Sequence, residues 1–227
     1  MNRIRSLFAL ALALAFLVAP GAQAQSRLGT DYSALKAPQP TEAPGKVEVV
    51  EFFWYGCPHC YALEPALDAW VKKLPADVQF RRIPAILSES WAPHARIYYA
   101  FEALGVLDRV HKSFFDAIHR DHLNVASEEA MNEWLKKNGI DRKTFDGAVK
   151  SFGVQTKAKR AAQLTAAYQV EGVPLIAVQG KHTVGAEQSA TREKMLATAG
   201  DLIVLARKDL PKDVEKKAAP KKSAEKK

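Results

Sequence analysis

Cysteine is scarce in this chain: the 227 residues include only two, and both lie in the tetrapeptide Cys57-Pro58-His59-Cys60. Structural zinc takes four ligands, and no second cysteine pair or cysteine–histidine pair exists to complete such a site. Zinc held with the help of His59 is the alternative to a metal-free site. The other five histidines are scattered without ligand spacing: His94, His111, His119, His122 and His182. We therefore expect no metal, and we expect both thiols to serve one site.

Long apolar runs are also absent after the N-terminus, since none approaches the roughly 20 residues that cross a bilayer. Arg3 and Arg5 precede an apolar segment from Leu7 to Ala19, and Ala22-Gln23-Ala24 has the form of a cleavage site. We predict that residues 1–24 are a signal peptide, removed after Ala24, and that the mature chain is exported to an oxidising compartment, where disulfides persist. A retained membrane anchor is the alternative.

Excess charge of one sign is small over most of the chain, although the formal net charge is +8. The arginines of the signal segment supply +2, and residues 211–227, with seven lysines against three acids, supply +4, which leaves +2 for the rest. This lysine-rich end predicts a disordered tail. Aromatic residues are not interleaved with its lysines, so we expect no nucleic-acid partner. A contact with an acidic membrane surface stays open.

The order of apolar patterns is strand, cysteine pair, helix, strand. Residues 25–46 are proline-rich and predict an extended N-terminal lead-in rather than a folded unit. Val47 to Phe53 has the continuous apolar character of a buried strand. Apolar residues then recur at helical spacing from Pro58 to Leu74, where Pro75 would end the helix, and Val78 to Ile83 predicts the next strand. We expect the two strands to be parallel.

These patterns divide the rest of the chain into three parts. Residues 47–87 predict the first half of a thioredoxin-like fold, and residues 88–172 are almost wholly helical in pattern. Residues 173–210 return to two strands and a closing helix. The predicted fold class is therefore α/β, a thioredoxin-like fold with an inserted all-helical subdomain.

The spacing of the two cysteines predicts redox chemistry, because one turn of helix brings the two sulfurs within reach of a disulfide. Cys57 would lie where the helix begins, so unpaired N–H groups and the helix dipole would stabilise its thiolate. Cys60, one turn inward, would be the buried resolving thiol. Pro58 suits the first turn, where its missing N–H costs nothing, and His59 would add a donor or a positive charge. We assign both to tuning of the redox pair; the alternatives are that Pro58 only starts the helix and that His59 is a solvated residue without a role.

Three segments together resemble the DsbA family of periplasmic thiol:disulfide oxidoreductases. They are Val50-Glu51-Phe52-Phe53, the Cys57–Cys60 tetrapeptide followed by Tyr61, and the distant Gly172-Val173-Pro174. The resemblance extends from about Val47 to Leu210. The Trp54-Tyr55-Gly56 lead-in and the lysine-rich tail depart from the family pattern.

The resemblance implies roles for three further residues. Pro174 would be a cis proline facing the active disulfide, and the backbone of Val173 would pair with an extended substrate segment. Glu51 would be the buried acid behind the active site, with a raised pKa, and would accept the proton of Cys60. The structural alternatives are an ordinary strand proline and a glutamate that reaches solvent.

The resemblance also implies the function. We expect a monomeric periplasmic dithiol oxidase that donates its disulfide to newly exported proteins with free cysteines, and that a membrane quinone-linked reoxidase of the DsbB type regenerates. No organic cofactor is expected. Two alternatives stay open: an isomerase or reductant of the same fold, and a secreted chaperone-like binding module in which the cysteine pair is structural.

Overall fold

The structure, a computed structural model, describes residues 26–210. The predicted signal peptide and the predicted lysine-rich tail lie outside this range. Five strands and seven helices occur in the described part, with short 3₁₀ turns at Glu89–Trp91 and Ala186–Gln188. In chain order they are β1 Ser33–Ala34, β2 Val47–Phe53, α1 Pro58–Val71, β3 Val78–Pro84, α2 Ala92–Ala103, α3 Leu107–His119, α4 Glu128–Lys137, α5 Arg142–Lys150, α6 Phe152–Ala167, β4 Leu175–Val178, β5 His182–Gly185 and α7 Arg192–Arg207.

The strands form one mixed sheet in the order β1-β5-β4-β2-β3. Strand β2 lies between β3 and β4, and all seven of its residues are buried. Its pairing with β3 is parallel, with Val47 opposite Val78, as the sequence predicts, and its pairing with β4 is antiparallel. Strand β2 therefore fixes the position of the cysteine pair that follows it.

Successive side chains of β2 point to opposite faces of the sheet, and each face has its own apolar core. Val47 and Val49 pack with Leu63 and Leu67 of α1 and with residues of α7 such as Leu202. The second core, on the other face, joins Val50 and Phe52 of β2 to helices α2 to α6; its largest fully buried members include Phe101, Phe114, Phe115 and Tyr168.

The helical insertion is present, and polar caps begin its later helices. Ser127, Asp141 and Ser151 accept hydrogen bonds from the backbone N–H three residues ahead, at the starts of α4, α5 and α6. Helices α2 to α6 lie between residues 92 and 167, inside the predicted segment 88–172. The predicted α/β fold class with an inserted helical region is confirmed, while the residue limits of the subdomain stay a prediction. Within residues 26–210, no helix is long and apolar enough to cross a bilayer.

The segment predicted as an extended lead-in, residues 25–46, includes a short strand that the sequence did not indicate. Ser33 pairs with Thr183 in an antiparallel ladder, which makes β1 an edge strand. The Gln39 N–H also donates to the Gly180 carbonyl oxygen at 2.7 Å. Two-residue strands carry no period that a sequence pattern can reveal. Helix α1 also ends at Val71, earlier than the predicted Leu74.

The turn between β4 and β5 depends on glycine. Gly180 has φ +61°, and a Cβ atom there would overlap the Gln39 carbonyl oxygen. We expect Gly180→Ala to lower the free energy of unfolding by at least about 1–2 kcal/mol, the cost of a left-handed backbone for a residue with a side chain, as measured by urea denaturation.

The matched control is Gly200→Ala, in the interior of α7. A Cβ there meets no heavy atom within 4 Å, so alanine should raise stability by about 0.5–1 kcal/mol. Equal effects of the two substitutions would contradict the account of the turn.

Candidate active site

Cys57 lies at the N-terminal end of α1, where its sulfur caps the helix. Its backbone is extended, with φ −88° and ψ 115°, and its Sγ accepts the Cys60 N–H at 3.3 Å. Pro58 occupies the first turn, as predicted from its missing N–H. Both cysteines are free thiols, with Cys57 6% exposed and Cys60 fully buried.

The surroundings of Cys57 favour its thiolate and lower its pKa to about 6. The largest cause is a hydrogen bond from the Cys60 thiol; burial acts in the opposite direction, and the backbone N–H groups of Cys60 and His59 lower the pKa further. The positive charge of His59 is the smallest of these contributions. The His59 side chain is exposed, which explains why its charge acts weakly.

The hydrogen bond between the two cysteines raises the pKa of Cys60, whereas it lowers that of Cys57. Burial raises the pKa of the Cys60 thiol well above its ordinary value, and the hydrogen bond to Cys57 and the charges of Cys57 and Glu51 raise it further. One thiol therefore ionises near neutral pH while its neighbour keeps its proton. Stepwise disulfide exchange requires one sulfur that ionises readily, as nucleophile or leaving group, beside a partner thiol that keeps its proton.

The fold brings Val173 and Pro174 to the cysteine pair, although they are far away in sequence. The Val173–Pro174 peptide bond is cis, and the Val173 carbonyl oxygen lies 3.4 Å from the Cys57 sulfur. A groove of about 890 Å³ runs beside this contact. Its lining includes His59, Val173, Pro174, Leu175, Glu171 and Glu187. Val173 therefore contacts the Cys57 sulfur and also lines the groove.

Glu51 is fully buried in the middle of β2. One of its carboxylate oxygens, Oε2, accepts a hydrogen bond from Arg82 Nε at 3.0 Å, and the other has no hydrogen-bond partner among the described residues. Burial is the main cause that raises its pKa to about 8, the charge of Glu64 adds to it, and Arg82 acts in the opposite direction. The glutamate does not reach solvent, so the structural alternative for this residue is wrong.

Arg82 joins three carboxylates around this acid. Its guanidinium donates to Glu51, to Glu64 Oε2 at 3.1 Å and to Asp68 Oδ1 at 3.0 Å. Glu64 and Asp68 are four residues apart on α1, and Arg82 lies opposite Glu51 in the parallel ladder. The sequence analysis missed this cluster, although the i, i+4 spacing of Cys60, Glu64 and Asp68 places them on one side of the helix.

Aromatic stacking surrounds the cysteine pair on two sides. The Trp54 ring stacks on Trp91 with ring centroids 4.2 Å apart, and Tyr61 stacks on His119 at 4.8 Å. His119 Nε2 also lies 2.8 Å from the Tyr55 carbonyl oxygen. These contacts hold the loop that leads into α1. No group of three or more potential metal-ligating side chains occurs in residues 26–210.

Comparison with known proteins agrees with this site. The family model of the DSBA-like thioredoxin domain matches residues 76–197. The thiol:disulfide interchange protein DsbA of Burkholderia cepacia is 41% identical over 186 residues, covering 82% of this chain and 88% of its own length. That of Azotobacter vinelandii is 43% identical over 193 residues, covering 82% and 90%. The crystal structure of Pseudomonas aeruginosa DsbA is 40% identical and superposes with a TM-score of 0.76, covering 81% of this chain and 96% of that one. With such identity over most of its length, the chain belongs to the DsbA family and is a thiol:disulfide oxidoreductase with Cys57 and Cys60 as its CxxC pair.

Proposed function

We propose that this oxidoreductase works as a periplasmic dithiol oxidase that donates the Cys57–Cys60 disulfide to newly exported proteins. The observation that supports this direction is the opposite shift of the two thiols: the Cys57 pKa is lowered to about 6, and the Cys60 pKa is raised. Stabilising the Cys57 thiolate stabilises the reduced protein, so the disulfide becomes a stronger oxidant.

The exchange begins on the oxidised protein. A client thiolate attacks Cys57 Sγ, the new S–S bond forms as the Cys57–Cys60 bond breaks, and the electron pair of the broken bond goes to the Cys60 sulfur. A second client thiolate then attacks the client sulfur of the mixed disulfide, and Cys57 leaves as a thiolate. The client loses two electrons and two protons, and the protein gains the electrons. A leaving thiol of low pKa departs faster, which suits Cys57.

Glu51 is proposed to donate a proton to the Cys60 sulfur and to accept it back. The Cys60 thiol is fully buried, so its thiolate needs a nearby proton source when it forms. A carboxyl group with a pKa of about 8 is largely protonated at neutral pH, so it can give a proton to Cys60 during oxidation of a client and take it back when the disulfide re-forms.

The groove beside Val173 and Pro174 is proposed to bind the client. The backbone of Val173 would pair with an extended client segment, as in β-augmentation. Such pairing uses backbone hydrogen bonds rather than contacts with particular side chains, so it suits many clients. Pro58 and the exposed His59 would tune the redox pair. Reoxidation by a membrane-bound quinone-linked partner of the DsbB type, action as a monomer, and removal of a signal peptide after Ala24 belong to the same proposal.

The direction of exchange can be tested with a reduced peptide that contains two cysteines. We expect stoichiometric oxidised protein to convert it to the cyclic disulfide while the protein becomes a dithiol, as followed by mass spectrometry after acid quenching. Cys57→Ser should transfer nothing, and Cys60→Ser should accumulate no oxidised peptide because it cannot form the internal disulfide. If the reduced protein instead reduces the cyclic peptide at equilibrium, the chain is a reductant and the proposal fails.

The source of the Cys57 activation predicts a ranking of two variants. Cys60→Ala removes the largest contribution to the lowered pKa of Cys57, whereas His59→Leu removes only the smallest. We expect the thiolate absorbance of Cys57 to titrate at a clearly higher pH in Cys60→Ala than in His59→Leu. In His59→Leu the potential should fall by less than about 30 mV, the equivalent of about 1.4 kcal/mol for two electrons. The reverse ranking would show that the histidine charge, rather than the buried thiol, activates Cys57.

A further inference from the structure

The groove beside Val173 carries more negative than positive charge. Its titratable lining consists of three glutamates, one arginine and one histidine: Glu171, Glu187, Glu193, Arg192 and His59. Even a protonated His59 would therefore leave an excess of one carboxylate. The whole chain has the opposite balance, since lysine and arginine outnumber aspartate and glutamate by 33 to 25. The acidic lining is thus a local property of the groove and does not follow from the composition of the chain.

The three glutamates come from separate elements that the fold brings to one groove. Glu171 lies in the loop before β4, Glu187 in the 3₁₀ turn after β5, and Glu193 in the first turn of α7. Their side chains are exposed. Within residues 26–210, none of the three takes part in a salt bridge. Their charges are therefore free to act on a bound molecule.

The same groove offers an extended chain a place beside the reactive sulfur. Apolar residues contribute to its lining, among them Val173, Pro174, Leu175 and Met195. The Val173 carbonyl oxygen lies 3.4 Å from the Cys57 sulfur, and the Val173 N–H has no backbone acceptor in the part of the chain that the structure describes. A backbone N–H without a partner can receive the carbonyl group of an extended segment. Side chains on either side of a client cysteine would then lie in the acidic groove.

We propose that this groove selects clients in which lysine or arginine flanks the reactive cysteine, and that Glu171 and Glu187 are specificity-determining residues. The assignment rests on the proposed function, since it gives a client class to the groove in which that function places the client. Opposite charges at a protein surface attract each other weakly and over a short range. The glutamates therefore favour association with a basic segment and leave the chemistry at the sulfurs as described above.

Glu193 has a second role that makes it unsuitable for a test. It lies in the first turn of α7, where an acidic side chain interacts favourably with the helix dipole. A substitution there would change the stability of the helix as well as the charge of the groove. Glu171 and Glu187 lie outside the helices α1 to α7, so they are the positions at which the charge alone can be removed.

A competition between two peptides measures the selectivity. The peptides share the same two cysteines, and the residues that flank the cysteines are lysine in one and glutamate in the other. Oxidised full-length protein is added in limiting amount, and mass spectrometry after acid quenching gives the ratio of the two cyclic disulfides. The reaction of each peptide with oxidised glutathione supplies the intrinsic ratio, because a lysine beside a cysteine itself makes the thiol more reactive.

After division by the intrinsic ratio, we expect wild type to favour the lysine peptide by at least about fivefold at low salt, since each charge pair at ~8 Å in water contributes roughly a factor of two. Raising the salt to about 0.5 M should reduce the preference below about twofold, because the Debye length falls to ~4 Å.

Two double variants locate the charges that cause the preference. Glu171→Gln with Glu187→Gln removes two carboxylates from the groove and should lower the preference at low salt by at least about threefold. The matched control, Glu129→Gln with Glu133→Gln, removes two exposed carboxylates of α4 that lie outside the groove lining. It changes the net charge of the protein equally and should keep the wild-type preference.

The same preference in both double variants would overturn the proposal, because the groove charges would then have no part in selection. A wild-type preference for the glutamate peptide would overturn it as well. If both peptides are oxidised at their intrinsic ratio, the inference alone is refuted. If neither peptide is oxidised, the proposed direction of exchange fails, and the client class falls with it.

Discussion

The hydrogen bonds that converge on the Cys57 sulfur are the interaction on which the rest of this site depends. The Cys60 N–H donates to it at 3.3 Å, and the Cys60 thiol makes the largest contribution to its lowered pKa. A sulfur at the end of a helix accepts such bonds without cost, because the first N–H groups of a helix have no partner within it. Strand β2 and its burial between β3 and β4 hold that helix end in place, and the groove lined by Val173 lies beside it.

Strand β2 carries two buried glutamates, and each accepts hydrogen bonds from an arginine of β3. The two differ in how completely their carboxylate oxygens are hydrogen-bonded. Glu48 is bound by Arg81, which donates from Nε and Nη2 at 3.1 and 3.3 Å. Its Oε2 also accepts the backbone N–H of Glu42, so both of its oxygens have partners. Glu51, on the opposite face, shares Arg82 with other carboxylates, and one of its oxygens has no hydrogen-bond partner within residues 26–210. The carboxylate of Glu48 thus has a partner for each oxygen, whereas Glu51 shares its one arginine with two other carboxylates.

The redox pair and much of the fold could be predicted from the sequence, because the patterns that indicate them lie within short stretches of the chain. The cysteine spacing, the buried strand before it and the helical period after it predict the redox pair and the thioredoxin-like half. The hydrogen bonds of Arg82 to Glu51, Glu64 and Asp68 could not be predicted, since the arginine comes from β3, one acid from β2 and two from α1, and they meet only through packing. The small contribution of the His59 charge to the Cys57 pKa could not be predicted either. The sequence places this side chain near Cys57 but does not show that it is exposed to solvent. Strand β1 was missed for a similar reason, since its two residues acquire their conformation from β5.

The central claim, that a stabilised Cys57 thiolate favours the reduced protein, is tested most directly by the pH dependence of stability in the two redox forms. The folded pKa of Cys57, about 6, lies below its unfolded value of about 8.5, so its contribution is complete above about pH 8.5 and is lost as the pH falls through 6. Glu51, whose raised pKa acts in the opposite sense, is present in both forms and largely cancels in the difference. Urea denaturation of reduced and oxidised protein between about pH 5 and 8.5 should therefore show the reduced form gaining stability over the oxidised form as the pH rises. A difference that is constant with pH, or that shrinks as the pH rises, would contradict the account.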